Sequence, residues 1–323
     1  MTSAALSLVG VVVPCYRVLG QVINTLQRIG PEVTHIYVVD DCCPERTGQW
    51  VEEQCGDPRV KVLYHDRNQG VGGAVMTGYL KALEDGCAVV VKIDGDGQMD
   101  PSLIPSFIWP LLNGQADYTK GNRFFDLEGL DSMPKVRLFG NAALSFITKL
   151  STGYWNIFDP TNGFTAIHRD VLSRLPLHKV SRRYFFESDL LFRLNILRAV
   201  VVDVPMRSVY GDEQSSLKVG RVLPEFAAKH LKNFAKRVFY NYYLRDMTMV
   251  SVELPLGLSL VAGGLAFGVS SWLAAASAGT FSSAGTVMLA ALPILLGVQL
   301  LLAALNQDIA AVPTRPFQSR VHR

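Results

Sequence analysis

Ala88-Val89-Val90-Val91-Lys92-Ile93-Asp94-Gly95-Asp96-Gly97-Gln98 decides how this chain is read. A valine-rich run ends in two aspartates one residue apart, with an amide two residues on. In extended backbone, residues i, i+2 and i+4 point to one side. Asp94, Asp96 and Gln98 are therefore expected to converge where a buried strand emerges. Three hard oxygen ligands suit Mg²⁺ or Mn²⁺, ions usually held by one or two carboxylates plus substrate phosphates. The plainer alternative is a polar Asp/Gly turn closing a strand.

Three further apolar runs precede this one. Val9 to Val13 ends at Pro14, and Ile36 to Val39 ends in Asp40-Asp41. Val60 to Leu63 is followed by Asn68-Gln69-Gly70-Val71-Gly72-Gly73. Helical stretches are expected at Leu19 to Ile29, Thr47 to Gln54 and Ala74 to Leu83. Strands alternating with helices predict an α/β fold with a doubly wound, mostly parallel sheet. Ligands of such sheets sit beyond the carboxyl ends of the strands. Pro14-Cys15-Tyr16, Asp40-Asp41, the glycine loop and the Asp94 cluster all fall there.

The order Val-Val-Val-Pro-Cys-Tyr, Val-Val-Asp-Asp, Asn-Gln-Gly-Val-Gly-Gly-Ala and Asp-Gly-Asp-Gly-Gln resembles glycosyltransferase family 2. Within it, the chain is most similar to polyprenyl-phosphate glycosyltransferases of the dolichol-phosphate mannose synthase type. The resemblance covers roughly the first two thirds of the chain. It implies a GT-A (Rossmann-like) catalytic domain, a nucleotide-diphosphate sugar donor and a lipid-phosphate acceptor.

The resemblance also implies roles for individual residues. Pro14, Tyr16, Asp40, Gly70, Gly72 and Asp94 would bind the nucleotide, with Tyr16 stacking on the base and Asp40 contacting base or ribose. A core or surface tyrosine, an aspartate capping the next segment and a plain strand-to-helix turn are the structural alternatives. No Gly-Lys-Ser/Thr follows the glycines, so this is not a P-loop. Asp94, Asp96 and Gln98 would hold the metal. Arg123 and Arg137 match the family's phosphate-binding arginines, and guanidinium forks suit phosphate oxygens. Asn141 stands where that pattern has a serine. Asp159, in Asp159-Pro160-Thr161-Asn162-Gly163-Phe164 before an expected strand at Thr165 to His168, would act with Asp96 in catalysis by orienting the acceptor or touching the donor sugar. Glu187 and Asp189 occupy a region where relatives place acids near the sugar. Ser215, Ser216 and Lys218 resemble the acceptor loop. His168 and His178 share no metal-ligand spacing and are read as structural.

The mean hydropathy of +0.21 is high for a chain of 323 residues, and the cause is local. Leu254 to Gln307 contains no Asp, Glu, Lys, Arg or His. Leu254 to Ala276 and Thr286 to Leu305 are each long enough to cross a bilayer, for which about 20 apolar residues suffice. Met1 to Val9 lacks the charged start of a signal peptide. Arg315, Arg320 and Arg323 follow the second span, and the connector carries no charge, so the positive-inside rule places both flanks in the cytosol. From Glu225 to Asp246, Ala227, Leu231, Phe234, Ala235, Val238 and Tyr242 follow helical spacing, with Lys229, Lys232, Lys236 and Arg237 largely away from them. A basic amphipathic helix beside a span reads as an interface helix. Five cysteines in a reducing compartment do not suggest a disulfide framework. The net charge of +3 says little about partners.

The expected organisation is a GT-A domain (1–223), an amphipathic juxtamembrane helix (224–250), a two-helix transmembrane hairpin (251–307) and a cytosolic tail (308–323). The expected function is metal-dependent, inverting transfer of one sugar from a nucleotide-diphosphate sugar to a polyprenyl phosphate of undecaprenyl or dolichyl type. The expected location is the cytosolic face of a cell's inner membrane. The partners are the donor, the acceptor and membrane lipid, with no nucleic acid, and self-association is compatible with this reading. One competing function is a polysaccharide synthase, but the Gln-x-x-Arg-Trp motif of those enzymes is absent. The other is an inactive membrane scaffold of the same fold.

Overall fold

The computed structural model describes residues 8–125, 135–206 and 219–321. The chain forms two compact units: Met1–Phe234 with Pro313–Arg323, and Ala235–Val312.

The first unit is built on a seven-stranded sheet in the order β3-β2-β1-β4-β6-β5-β7. The strands are β1 (Val9–Cys15), β2 (His35–Asp40), β3 (Val60–Tyr64), β4 (Val89–Lys92), β5 (Tyr118–Asn122), β6 (Thr165–His168) and β7 (Val201–Pro205). The four sequence-expected early strands form as valine-rich runs, and every residue of β1 and β4 is buried. Burial of alternate residues on both sides requires cover on both faces of the sheet. Helices α1 (Val22–Gln27), α2 (Thr47–Gln54), α3 (Val71–Glu84) and α4 (Ile104–Leu112) connect the first five strands. Further helices are α5 (Lys135–Thr152), α6 (Arg169–Leu172), α7 (Phe186–Ile196) and α8 (Val219–Phe239).

One strand departs from the parallel pattern. β6 lies between β4 and β5 and is antiparallel to both, whereas β1 pairs in parallel with β2 and β4, and β5 with β7. The carboxyl ends of β1, β2, β4 and β5 therefore point one way, and the amino end of β6 points the same way. This brings the 159–164 segment, which enters β6, to the edge where Asp94 and Arg123 leave their strands.

The tail is part of this unit. Asp117, fully buried at the opposite edge, accepts hydrogen bonds from the backbone N–H of Val200 (2.7 Å), Phe317 (2.7 Å) and Gln318 (3.1 Å). The Gln318 amide donates to the carbonyls of Leu111 and Ala116, and the Phe317 ring lies 5.0 Å from the Arg174 guanidinium. The compact unit thus runs past the expected boundary at 223 and takes in tail residues expected to be a separate segment. Phe226, His230 and Asn233 account for the first extension: Phe226 and His230 pack edge-on against Phe185, and Asn233 donates to Asp189.

The second unit holds α9 (Val250–Ser277) and α10 (Ala284–Ala310), both long and apolar enough to cross a membrane. Close approach needs small residues. A Cβ at Gly264 would lie 2.9 Å from the Ala290 carbonyl, and one at Gly297 would lie 2.8 Å from that of Gly257. Arg237 was expected on the exposed basic face of its helix. It is instead buried, with a two-pronged pair to Asp308 (2.6 and 3.0 Å), and the Tyr242 hydroxyl donates to the same carboxylate. An arginine this deeply buried needs a charged partner.

Candidate active site

β4 ends at Lys92, and the chain then turns, with Gly97 in the left-handed region (φ 76°). The Gln98 N–H donates to Asp96 Oδ1 at 3.0 Å, so Asp94, Asp96 and Gln98 sit on a turn rather than along extended backbone. Asp94 remains half-buried, and Lys92 Nζ lies 2.7 Å from its Oδ1. Sequence reasoning passed over Lys92. A lone charge inside a valine run that ends in an acidic cluster is the signal that could have found it.

Lys92 belongs to a row. It pairs across strands with Thr165, Thr165 pairs with Lys120, and Lys120 pairs with Asp203. Residues paired this way share one face of the sheet. Lys92 and Lys120 are almost wholly buried. Lys120 Nζ donates to the Asn162 carbonyl. Burial pulls the Lys120 ammonium down to about 8, opposed by Glu187 and Asp159. Burial pushes the Glu187 carboxyl up to about 7, against the pull of Lys92 and Lys120. Burial also raises Asp203. Glu187, at the start of α7, is thus drawn into this cluster. Asp189 instead accepts from Ser181 N and Arg193, which supports the loop before α7.

Arg123 follows β5, and its guanidinium grips Asp159 in a fork, Nε to Oδ2 at 2.7 Å and a terminal nitrogen to Oδ1 at 2.9 Å. The structure thereby joins two residues that the sequence reading gave separate duties. Ser145 of α5 donates to the Phe158 carbonyl at 2.6 Å, fixing that helix to the same loop. Asn141 lies on α5, half-buried. Arg137 falls in the first turns of α5, but its side chain lies outside the described residues, as do Ser215, Ser216 and Lys218.

The donor-side residues are placed as follows. Pro14 is the last residue but one of β1, beside Val39 of β2. Tyr16 is exposed, with the Arg17 guanidinium 5.5 Å from its ring. Asp40 is buried and accepts from the N–H of Cys43 (2.7 Å) and Gly48 (2.6 Å), a brace for the turn into α2. Asp41 accepts from the N–H of Gln69 and Gly70, both at 2.7 Å, and contacts His65 Nδ1. The glycine loop is held by the chain itself. A Cβ at Gly70 would lie 2.6 Å from the Arg182 carbonyl; one at Gly72 would overlap the Ser181 carbonyl and lie 2.6 Å from Phe186 Cβ. The Gly73 N–H donates to the Arg182 carbonyl at 3.0 Å. These glycines admit the 181–186 segment, a packing role that the sequence reading assigned to nucleotide approach.

A mostly parallel seven-stranded α/β sheet with the candidate site at its carboxyl edge is the GT-A class of sugar-transfer fold. Residues 10–175 match the profile described as glycosyl transferase family 2. The chain belongs to that family and is a glycosyltransferase. It is 30% identical over 218 residues to the undecaprenyl-phosphate mannosyltransferase of Micrococcus luteus, covering 66% of this chain and 88% of that one. It is 29% identical over 219 residues to the UDP-N-acetylglucosamine–dolichyl-phosphate N-acetylglucosaminyltransferase of Methanococcus voltae, covering 63% and 86%. Among solved structures, glucosyl-3-phosphoglycerate synthase of Mycobacterium tuberculosis, in complex with Mn²⁺, UDP and glucosyl-3-phosphoglycerate, superposes with a TM-score of 0.53. That match covers 72% of this chain and 80% of that one at 17% identity, a likeness of fold.

Proposed function

We propose that this protein transfers one sugar from a nucleotide-diphosphate sugar to a polyprenyl phosphate at the cytosolic face of a cell's inner membrane. The observation that carries the reading is the joint placement of the Asp94–Gln98 turn and the Arg123–Asp159 fork at one edge of the sheet. The similarity to enzymes whose names specify polyprenyl-phosphate acceptors supports it. So do two helices of 28 and 27 residues long and apolar enough to span a bilayer.

Surface patterning supports a membrane setting. On α5 the buried side is polar (Ser145, Thr148, Ser151, Thr152), while Ala142, Ala143, Phe146 and Ile147 are exposed. On α8, Ala227 and Leu231 face outward and His230 and Asn233 inward. An apolar outward face on α5, and outward apolar and basic residues such as Leu231, Lys232 and Lys236 on α8, suit an interface with lipid.

The turn fits a hard divalent cation, Mg²⁺ or Mn²⁺. Its donor set is all oxygen. Gly163 lets the loop entering β6 come close to Asp94, since a Cβ there would lie 2.6 Å from Oδ2. Asp94, Asp96 and Gln98 would hold the ion, whose chemistry is to neutralise charge on the departing diphosphate. Arg123, oriented by Asp159, would bind the acceptor phosphate with Arg137, Asn141, Ser216 and Lys218. The phosphate is anionic near neutral pH, so its oxygen attacks the anomeric carbon without a strong base. The bond to the diphosphate breaks, its electron pair leaves with the nucleotide, and configuration inverts. The residues supply alignment and charge stabilisation. Pro14, Tyr16, Asp40 and the glycine loop would shape the nucleotide site.

The test is to incubate membranes containing the protein with labelled nucleotide sugars and polyprenyl phosphate. One label should enter the lipid phase. Labelling of none, with turnover onto a glycan instead, would overturn the acceptor assignment.

A further inference from the structure

A buried lysine, Lys92, flanks the proposed cation site and is not accounted for by the chemistry above. Lys92 is only 1% exposed, and its Nζ is 2.7 Å from Asp94 Oδ1. Lys92 is the last residue of β4 and Asp94 lies just beyond it, so the contact closes the end of the strand. The loop entering β6 is shaped around this pair. A Cβ at Gly163 would overlap Lys92 Nζ, so the ammonium occupies the space that any other residue at 163 would fill. Phe186 closes another side, its ring centroid 5.6 Å from Nζ. Lys120, in the same cross-strand row, holds the carbonyl of Asn162, the residue next to Gly163.

The charges have a consequence for binding order. Lys92 cancels much of the field of Asp94, and Lys120 faces Glu187. An isolated divalent cation therefore meets a site whose negative charge Lys92 has reduced. A nucleoside diphosphate carries the missing charge on its own oxygens, and Mg²⁺ is commonly bound through one or two carboxylates plus substrate phosphates.

We infer that Lys92 is a positioning residue that shares Asp94 with the cation, so that the ion binds tightly only together with the nucleotide diphosphate. The inference rests on the reading of Asp94, Asp96 and Gln98 as the cation site. Lys92 fixes the Asp94 carboxylate in place, and by its charge it suppresses occupation by the ion alone.

The test uses full-length protein in detergent and follows free Mn²⁺ by electron paramagnetic resonance, with and without UDP or GDP. In the wild type, Mn²⁺ should bind at least tenfold more tightly with one of the nucleotides than without. Lys92→Met should bind Mn²⁺ alone at least tenfold more tightly than the wild type, largely abolishing that dependence. Lys92→Gln, which removes the charge but keeps a polar side chain, should shift Mn²⁺ binding the same way by a smaller factor and guards against failure of the first variant to fold. Unchanged or weaker binding of Mn²⁺ alone by both variants, with the wild type still binding Mn²⁺ plus nucleotide, overturns the inference and leaves the cation site standing. Equal Mn²⁺ affinity with and without nucleotide in the wild type also overturns it. No Mn²⁺ binding by the wild type under either condition overturns the cation site itself.

Discussion

Arg123→Met and Asp159→Asn break the same ion pair, yet they should not cost the same. Asp159 is 1% exposed and Arg123 24% exposed at the side chain. Removing the arginine strands a buried carboxylate. Breaking a buried pair from one side costs about 3–5 kcal/mol. The Arg123 backbone N–H (3.3 Å) and the Thr161 hydroxyl (3.4 Å) still donate to Asp159, which favours the lower end, about 3 kcal/mol. Removing the aspartate charge leaves a guanidinium that reaches water and still meets an amide oxygen, a loss of about 1 kcal/mol. For a unit of this size, roughly 2–4 °C is lost per kcal/mol. Arg123→Met should therefore lower Tm by about 6–12 °C and Asp159→Asn by about 2–4 °C. Thermal unfolding of the two purified variants reads this directly. In the transfer assay, Arg123→Met should also raise the KM for polyprenyl phosphate more than Asp159→Asn does. A larger Tm loss for Asp159→Asn would refute the view that the buried carboxylate is the costly partner.

Other outcomes follow from the same geometry. Asp96→Ala should cut transfer at least a hundredfold with Tm little changed, and excess chelator should abolish wild-type transfer; full activity in chelator would reject the cation. Glu187 is raised from an ordinary value near 4.5 to about 7. Its contribution to stability is present below pH 4.5 and is lost as pH rises through about 7. Glu187→Gln should flatten the fall in Tm across that window, and an unchanged Tm–pH profile would count against it. A cysteine at Ser282 should react with an impermeant reagent applied to intact cells, and one at Ser319 should not; the reverse pattern would reject the proposed orientation.

The parts legible in the sequence are those set by local pattern. β1 to β4, α2 and α3 were expected because valine-rich runs, breakers and helical spacing act over a few residues. β6 was readable from Thr165 to His168, but its antiparallel insertion was not, because strand order depends on long-range pairing. At Asp94–Gln98 extended backbone was expected, and Gly97 and the Asp96–Gln98 bond turn the chain instead. The work of Gly70 and Gly72 could not be read, since the 181–186 segment that needs their missing side chains is about 110 residues away. Lys92 was hidden inside an apolar run. On α8 apolar residues follow helical spacing, but periodicity does not tell which stripe faces protein. Buried polar partners such as Asp189 decided that.

The bond between Asp117 and the backbone of Phe317 and Gln318 has a topological meaning. The chain leaves the catalytic unit after Phe234 and rejoins it at Pro313. A chain that returns to its point of departure can have crossed a bilayer only an even number of times. The enzyme's working part is also not one continuous stretch of sequence. A truncation that stops before the hairpin keeps every residue matched by the family profile, yet takes from Asp117 two of the three backbone donors that its carboxylate accepts. Solubilising this protein by shortening it should therefore cost folded stability at the edge of the sheet farthest from the chemistry, and adding back 313–321 as a separate peptide should restore it.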